Sequence, residues 1–183
     1  MSVTAVEFKS TLTQIKEHHK SGNLGSYRPM LKAGLQRVEF NNLSPELQSV
    51  TKEYQGNLDS FKSNEETHIN SKLEVYKNSQ DSGKLASFKA AMDERKAKAK
   101  EDSAKMIDSY YDKLIQIGTD HPEQTDAIIV LSDVVMGFMK DIFNKISEIV
   151  VQVVQVIVEA IEKAFEYVKN AFSSVTSAIT SFF

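Results

Sequence analysis

Polar side chains in the last third of the chain recur at a regular interval. From residue 127 onward the sequence is mostly apolar, and its polar or small residues have a mean spacing of about 3.7, the period of an α-helix. Successive steps of eleven residues from Asp133 reach Asn144, Gln155, Glu166 and Ser177, so the helical phase persists through the segment. The pattern predicts a helix with a narrow polar stripe on an otherwise apolar surface.

Two sets of residues define this predicted helix. The polar stripe comprises Asp133, Asp141, Asn144, Glu148, Gln152, Gln155, Glu159, Glu166 and Asn170. The apolar set, which we expect to face either a protein core or a membrane, comprises Phe138, Phe143, Ile149, Val153, Ile157, Phe165, Phe172, Ile179, Phe182 and Phe183.

Two features of this segment could interrupt the helix. The valine-rich run 149–158 contains β-branched residues that favour strands, but its polar residues are spaced by three and four, so we predict a helix. A continuous helix over residues 127–183 would extend about 85 Å, which is long for a domain of this size. We therefore expect a bend near Gly137 or around Lys169 and Asn170.

Glycine and proline mark the joints between the earlier helices. Loops are expected at residues 21–26, 80–83 and 118–126, and these divide the chain into helical segments at about 3–20, 28–40, 45–80, 84–117 and 127–183. Ser44 should cap the third segment and Pro45 should be its first helical residue. The short joint between the third and fourth segments favours an antiparallel hairpin.

These elements predict an all-α fold, an elongated helical bundle with a long antiparallel hairpin and a long apolar C-terminal helix that can bend. We expect a single domain, residues 1–183, with three sub-regions. Residues 1–44 form short helices, residues 45–117 form the polar hairpin, and residues 127–183 form the apolar amphipathic segment. The chain has only 7 Gly and 3 Pro, too few for a turn-rich β fold, and its lack of Cys excludes a disulfide scaffold.

No motif for catalysis or for cofactor binding is present. The chain has no phosphate-binding or dinucleotide-binding glycine loop and no nucleophile elbow. One Glu-x-x-His pair, Glu65 and His68, lacks the second copy that a di-iron bundle needs. We therefore expect no enzyme activity, no cofactor, no metal and no small-molecule substrate.

The charge pattern argues against nucleic acid as a partner. The net charge is −3, and the densest charged run, residues 93–102, has acidic residues at both ends, which is typical of a solvated helix. The N-terminus lacks a classical signal peptide because Glu7 and Lys9 interrupt its apolar residues. We expect a cytoplasmic protein, or one released by a non-classical route, with peripheral or inducible membrane association.

The apolar segment has several possible roles. It can form the spine of the bundle, insert into lipid with its polar stripe toward water, lie flat on a lipid surface, or pair with protein alone. The chain has long polar helices followed by one apolar helical element, and this organisation is similar to that of α-helical pore-forming toxins. The eleven-residue phase of the apolar segment is similar to that of lipid-droplet coats and exchangeable apolipoproteins. Both resemblances are of pattern only, and mainly concern residues 127–183.

These interpretations lead to one expected function and two alternatives. We expect a membrane- or lipid-engaging helical protein whose C-terminal helix inserts into a bilayer or lies on it, as the resemblance to pore-forming toxins implies. The alternatives are a structural or interaction bundle that oligomerises through the same face without lipid, and a lipid-surface coat. The expected partners are a lipid membrane or lipid surface, together with further copies of the chain or a helical partner subunit.

Overall fold

A computed structural model describes residues 4–21 and 42–183, and along these ranges the chain is helical with no strand. The α-helices are α1 (Ala5–Ser21), α2 (Pro45–Asn78), α3 (Lys84–Asp120), α4 (Thr125–Glu159) and α5 (Ile161–Phe182). A short 3-10 helix, Pro122–Gln124, precedes α4. The predicted all-α fold is confirmed, and the valine-rich run 149–158 is helical. The helix predicted at 28–40 and most of the loop at 21–26 lie outside the described residues.

Side-chain caps fix the starts of the first two helices. The Thr4 and Glu7 side chains form a capping box, in which Glu7 Oε2 accepts from the Thr4 backbone N–H at 2.9 Å. The Glu7 N–H donates to Thr4 Oγ1 at 3.3 Å. Ser44 Oγ accepts from the Leu47 N–H at 3.3 Å, and α2 begins at Pro45, as the sequence predicted.

The described helices divide between two compact units. Unit 1 contains α1, α2 as far as Tyr54, α3 from Ala104, and α4 as far as Lys140. Unit 2 contains the remaining parts of α2, α3 and α4, together with α5. The predicted sub-regions 45–117 and 127–183 therefore each contribute to both units, and the expectation of a single domain stays a prediction.

The core of unit 1 brings α1 against α3 and α4. Its fully buried side chains include Leu12, Ile15, Leu47, Tyr54, Tyr110, Leu114, Ile128, Leu131 and Val135. Phe8 packs against Gly118 so closely that a Cβ atom on this glycine would overlap the phenylalanine ring. At the other end of α1, Lys20 Nζ donates to both carboxylate oxygens of Asp108 at 3.0 and 2.9 Å. In this unit α1 and α3 therefore run in opposite directions.

In unit 2, α5 packs along α2. Lys62 Nζ donates to Thr176 Oγ1 at 2.9 Å, and Lys77 Nζ lies 5.8 Å from the centre of the Phe165 ring. Because the residue numbers of α2 rise as those of α5 fall, these two helices are antiparallel within the unit.

The same unit pairs α2 with α3 in opposite order. Tyr76 contacts Phe88 with ring centroids 5.8 Å apart, and Glu65 binds Arg95. The connecting turn is held by Asp81, whose Oδ1 accepts from the Gly83 N–H at 2.9 Å. The antiparallel hairpin over its full predicted length stays a prediction.

The break in the apolar segment lies at Ala160. Gly137 and the pair Lys169–Asn170, where we expected a bend, lie inside α4 and α5, so the helix is not broken at either place. Ala160 has an extended backbone (φ −165°, ψ 139°), which ends α4 and lets α5 take a new direction along α2. Gly137 has open space at its Cβ position and needs no close approach.

The contact between Gly118 and Phe8 predicts that alanine at residue 118 and alanine at residue 137 change the free energy of unfolding in opposite directions. Gly118→Ala should lower the free energy of unfolding by about 1–3 kcal/mol, because the added methyl group forces the Phe8 ring out of the core. Gly137→Ala is the matched control in the same unit, and should raise stability by about 0.5–1 kcal/mol through helix propensity alone. Denaturant unfolding followed by circular dichroism measures both values, and equal effects would contradict the packing described.

Candidate functional site

Half of the predicted apolar set is buried in this structure. Ile149, Val153, Ile157, Phe172 and Ile179 are buried. Phe138, Phe143, Phe165, Phe182 and Phe183 are partly exposed. Of these, Phe143 contacts Phe61 with ring centroids 5.2 Å apart, and Phe182 contacts Phe183 at 4.9 Å.

The predicted polar stripe faces solvent over most of its length. Its exposed members are Asp141, Asn144, Glu148, Gln152, Gln155, Glu159, Glu166 and Asn170. Asp133 is the exception, since it is partly covered and lies near His19 of α1. On α4 and α5 these residues therefore form a largely solvent-facing row.

The first half of α4 is the most enclosed helical stretch of unit 1. Ile128, Leu131, Val135, Met136 and Met139 are fully buried. Between Ile128 and Met139 only Asp133, Val134, Gly137 and Phe138 are not classed as buried, so protein covers most of the circumference. This part of α4 therefore forms the apolar spine of unit 1.

The second half of α4, in unit 2, is covered on one side only. Its buried row includes Ile146, Ile149, Val150, Val153 and Ile157, and apart from the adjacent pair 149–150 these positions are separated by exposed or partly exposed residues. α5 likewise has one buried row, Ala164, Val168, Phe172, Val175 and Ile179, and a broad polar face opposite. These two stretches are ordinary amphipathic helices, which are less enclosed than the sequence pattern suggested.

An apolar row remains in solvent on this second half of α4. Val151 is 40% exposed and Val158 is 62% exposed. Val154 is partly exposed and shares their face, because spacings of three and four residues place side chains on one side of a helix. At about 100° per residue, this valine ridge (Val151, Val154 and Val158) lies between the buried row and the polar stripe. The sequence places all three in the valine-rich run 149–158, but it does not reveal that they form an exposed row.

A buried ion pair in unit 2 was also missed. Arg95 donates to the two carboxylate oxygens of Glu65 at 2.9 and 2.5 Å, and the Glu65 side chain is fully buried. Burial raises the pKa of Glu65, and the interaction with Arg95 opposes this rise. The sequence analysis placed Arg95 in a solvated run because its partner lies thirty residues earlier on another helix.

The Glu65–Arg95 pair determines whether Glu65 is available to bind a metal ion. Glu65 is occupied by a guanidinium, and no group of three side chains in the described ranges is placed to hold a metal ion. A groove of about 410 Å³ beside Arg95 is lined by both signs of charge, including His68, Lys72 and Glu94. Such a mixed lining favours neither an anionic nor a cationic ligand.

A cluster of titratable groups lies between α1 and α4 in unit 1. His19 is buried, with Nε2 3.6 Å from Asp133 Oδ1, and its ring contacts that of His18 with centroids 5.6 Å apart. Burial, followed by the charges of His19 and Lys140, lowers the pKa of His18. We call His18, His19, Asp133 and Lys140 the histidine cluster.

Comparison of the chain with protein-family models, curated proteins and solved structures found no match. Within residues 4–21 and 42–183, no helix has a stretch long and apolar enough to cross a bilayer. The valine ridge, the α4 spine and the histidine cluster are the candidate functional features of the described residues.

The Glu65–Arg95 pair predicts a large effect of truncating one partner. Arg95→Met should lower the free energy of unfolding by about 3–5 kcal/mol, because it leaves a buried carboxylate without its counter-ion. The double variant Glu65→Leu, Arg95→Met should recover most of this loss. Lys98→Met is the control on the exposed side of α3, and should leave the unfolding midpoint unchanged. An Arg95 variant as stable as the control would contradict a desolvated pair.

Proposed function

We propose that the protein engages lipid surfaces through α4, and that the valine ridge makes the first contact. The observation that carries the proposal is the order of surfaces around the second half of α4. An exposed apolar row lies directly beside a continuous polar stripe, so a helix resting on a lipid surface could bury the row while its stripe stays in water.

The enclosed first half of α4 supports a second step. Its buried side chains make apolar contacts within unit 1, and lipid can replace such contacts at similar free energy, because apolar burial contributes about 25 cal/mol per Å² in either environment. Opening of the bundle would then exchange protein contacts for lipid contacts along the same helix. Dye release from vesicles distinguishes the outcomes: leakage indicates a pore, and binding without leakage indicates a surface coat.

Substitution of exposed valines tests the proposal without touching the core. Val158→Asp and Val151→Asp should each weaken partitioning onto phosphatidylcholine vesicles by about tenfold or more, since apolar contact worth about 1–2 kcal/mol is lost and a charge is added. Val75→Asp is the matched control: it changes the same residue type at 63% exposure on α2. Flotation with the vesicles is the measurement, and circular dichroism verifies that each variant is folded.

The outcomes separate lipid binding from its alternatives. Absence of flotation by the wild-type protein would contradict the proposal, as would equal loss of flotation in the Val75 and Val158 variants. If the wild-type protein instead forms an oligomer that Val158→Asp dissociates, as measured by light scattering, the ridge is a protein–protein contact. That result would support the interaction-bundle alternative.

The charge balance predicts which vesicles will bind. From residue 127 onward, six acidic residues outnumber four lysines, so headgroup electrostatics should contribute little to binding. Adding phosphatidylserine to phosphatidylcholine vesicles, or raising the salt concentration, should therefore leave flotation nearly unchanged. Binding that needs phosphatidylserine and is lost in high salt would indicate a basic patch rather than the valine ridge.

A further inference from the structure

The contact between α1 and α4 in unit 1 contains a buried histidine whose ring makes no hydrogen bond to the residues that the structure describes. His19 is 6% exposed, and neither of its ring nitrogens has a hydrogen-bond partner in the described part of the chain. Its Nε2 faces Asp133 Oδ1 on α4 at 3.6 Å, which is beyond hydrogen-bonding distance. Charging this ring would thus place a cation at a site with few groups to solvate it.

The groups around His19 would become predominantly cationic in acid. Lys140 on α4 has a buried ammonium group with no hydrogen-bond partner among residues 4–21 and 42–183, and it acts electrostatically on His18. Asp133 is the carboxylate of α4 that interacts with both histidines. With His18 and His19 protonated, three cations would therefore share one carboxylate at this contact.

The other charged groups at the contact belong to a separate ion-pair network. On α1, Lys16 and Lys20 pair with Asp108 of α3 at 3.5 and 2.9 Å, while Glu17 points to solvent. The hydrogen bond to Asp108 raises the pKa of Lys20, and the pKa of Asp108 is lowered despite its partial burial because of Lys20 and Lys16. Both shifts favour the charged forms, so the Lys20–Asp108 pair keeps its charges between about pH 5 and pH 8 and does not supply the pH dependence.

We propose that the histidine cluster is an acid-sensitive latch, and that protonation of His18 and His19 releases α1 from α4. Release would uncover the enclosed first half of α4. The inference concerns α1 and α4 alone, and holds whether or not the valine ridge binds lipid.

The direction of the pH effect follows from proton binding. The pKa of His18 is lowered from its usual value of 6.5 by burial and by its cationic neighbours, so the released state binds more protons than the docked state. Docking therefore weakens as the pH falls through about 6.5 and below, and is at full strength at higher pH.

Hydrogen–deuterium exchange of the intact protein tests the latch. After correction for intrinsic exchange rates, peptides from α1 should lose protection by about tenfold or more between about pH 7.5 and about pH 5.5. Peptides from α5 should keep their protection, which distinguishes release of α1 from global unfolding. His19→Gln, which cannot be protonated, should keep α1 protected at the lower pH. His121→Gln, at the joint before α4, is the control and should behave as wild type.

Two further variants should shift the pH midpoint for release of α1 in opposite directions. Asp133→Asn removes the neighbouring carboxylate and should move release of α1 to higher pH, whereas Lys140→Gln removes a repelling cation and should move it to lower pH. If His19→Gln fails to fold, these two variants still test whether the histidine cluster controls release of α1. Unchanged α1 protection at about pH 5.5 in the wild-type protein would overturn the inference. The inference would also be overturned if α1 were released at the same pH midpoint in the Asp133 and Lys140 variants.

Discussion

Burial of the first half of α4 is the interaction on which unit 1 depends. A helix that is apolar around most of its circumference must be covered by other helices, and in this unit α1, α2 and α3 provide the cover. The capping box that starts α1 and the glycine at its contact with α3 both hold that helix in place. The histidine cluster lies within this cover, so the contact that hides the apolar spine also contains the buried His19 ring and the Asp133 carboxylate.

The second half of α4 meets a different environment in unit 2. There the helix buries one row, exposes its polar stripe, and leaves the valine ridge in water between them. A helix that only contributes to a protein core normally has no contiguous apolar row in solvent, because exposed apolar patches mark interaction sites. The same helix thus combines a hidden apolar surface with an accessible one. This combination is the physical basis for proposing contact with lipid, and the ridge is the part available before any helix moves.

Periodicity alone predicted much of this architecture. Polar spacing of three and four identified helix even through the valine-rich run, and the Ser44–Pro45 pair located the start of α2. The break at Ala160 was missed, because neither glycine nor proline marks it and the buried row keeps its phase across it. The Glu65–Arg95 pair and the contact of His19 with Asp133 join residues on different helices. Such contacts depend on how helices pack, which the spacing within one helix does not specify.

The most direct test is to measure the environment of single positions along α4 when vesicles are present. Because the chain has no cysteine, one introduced cysteine at a time can carry a spin label at residue 151, 155 or 158, with residue 75 as reference. The account predicts that labels at 151 and 158 become accessible to oxygen dissolved in lipid and shielded from a water-soluble relaxation agent. Labels at 155 and 75 should remain in water. If the labels at 151 and 158 on vesicle-bound protein stay as accessible to water as the label at 75, lipid contact through the valine ridge is contradicted.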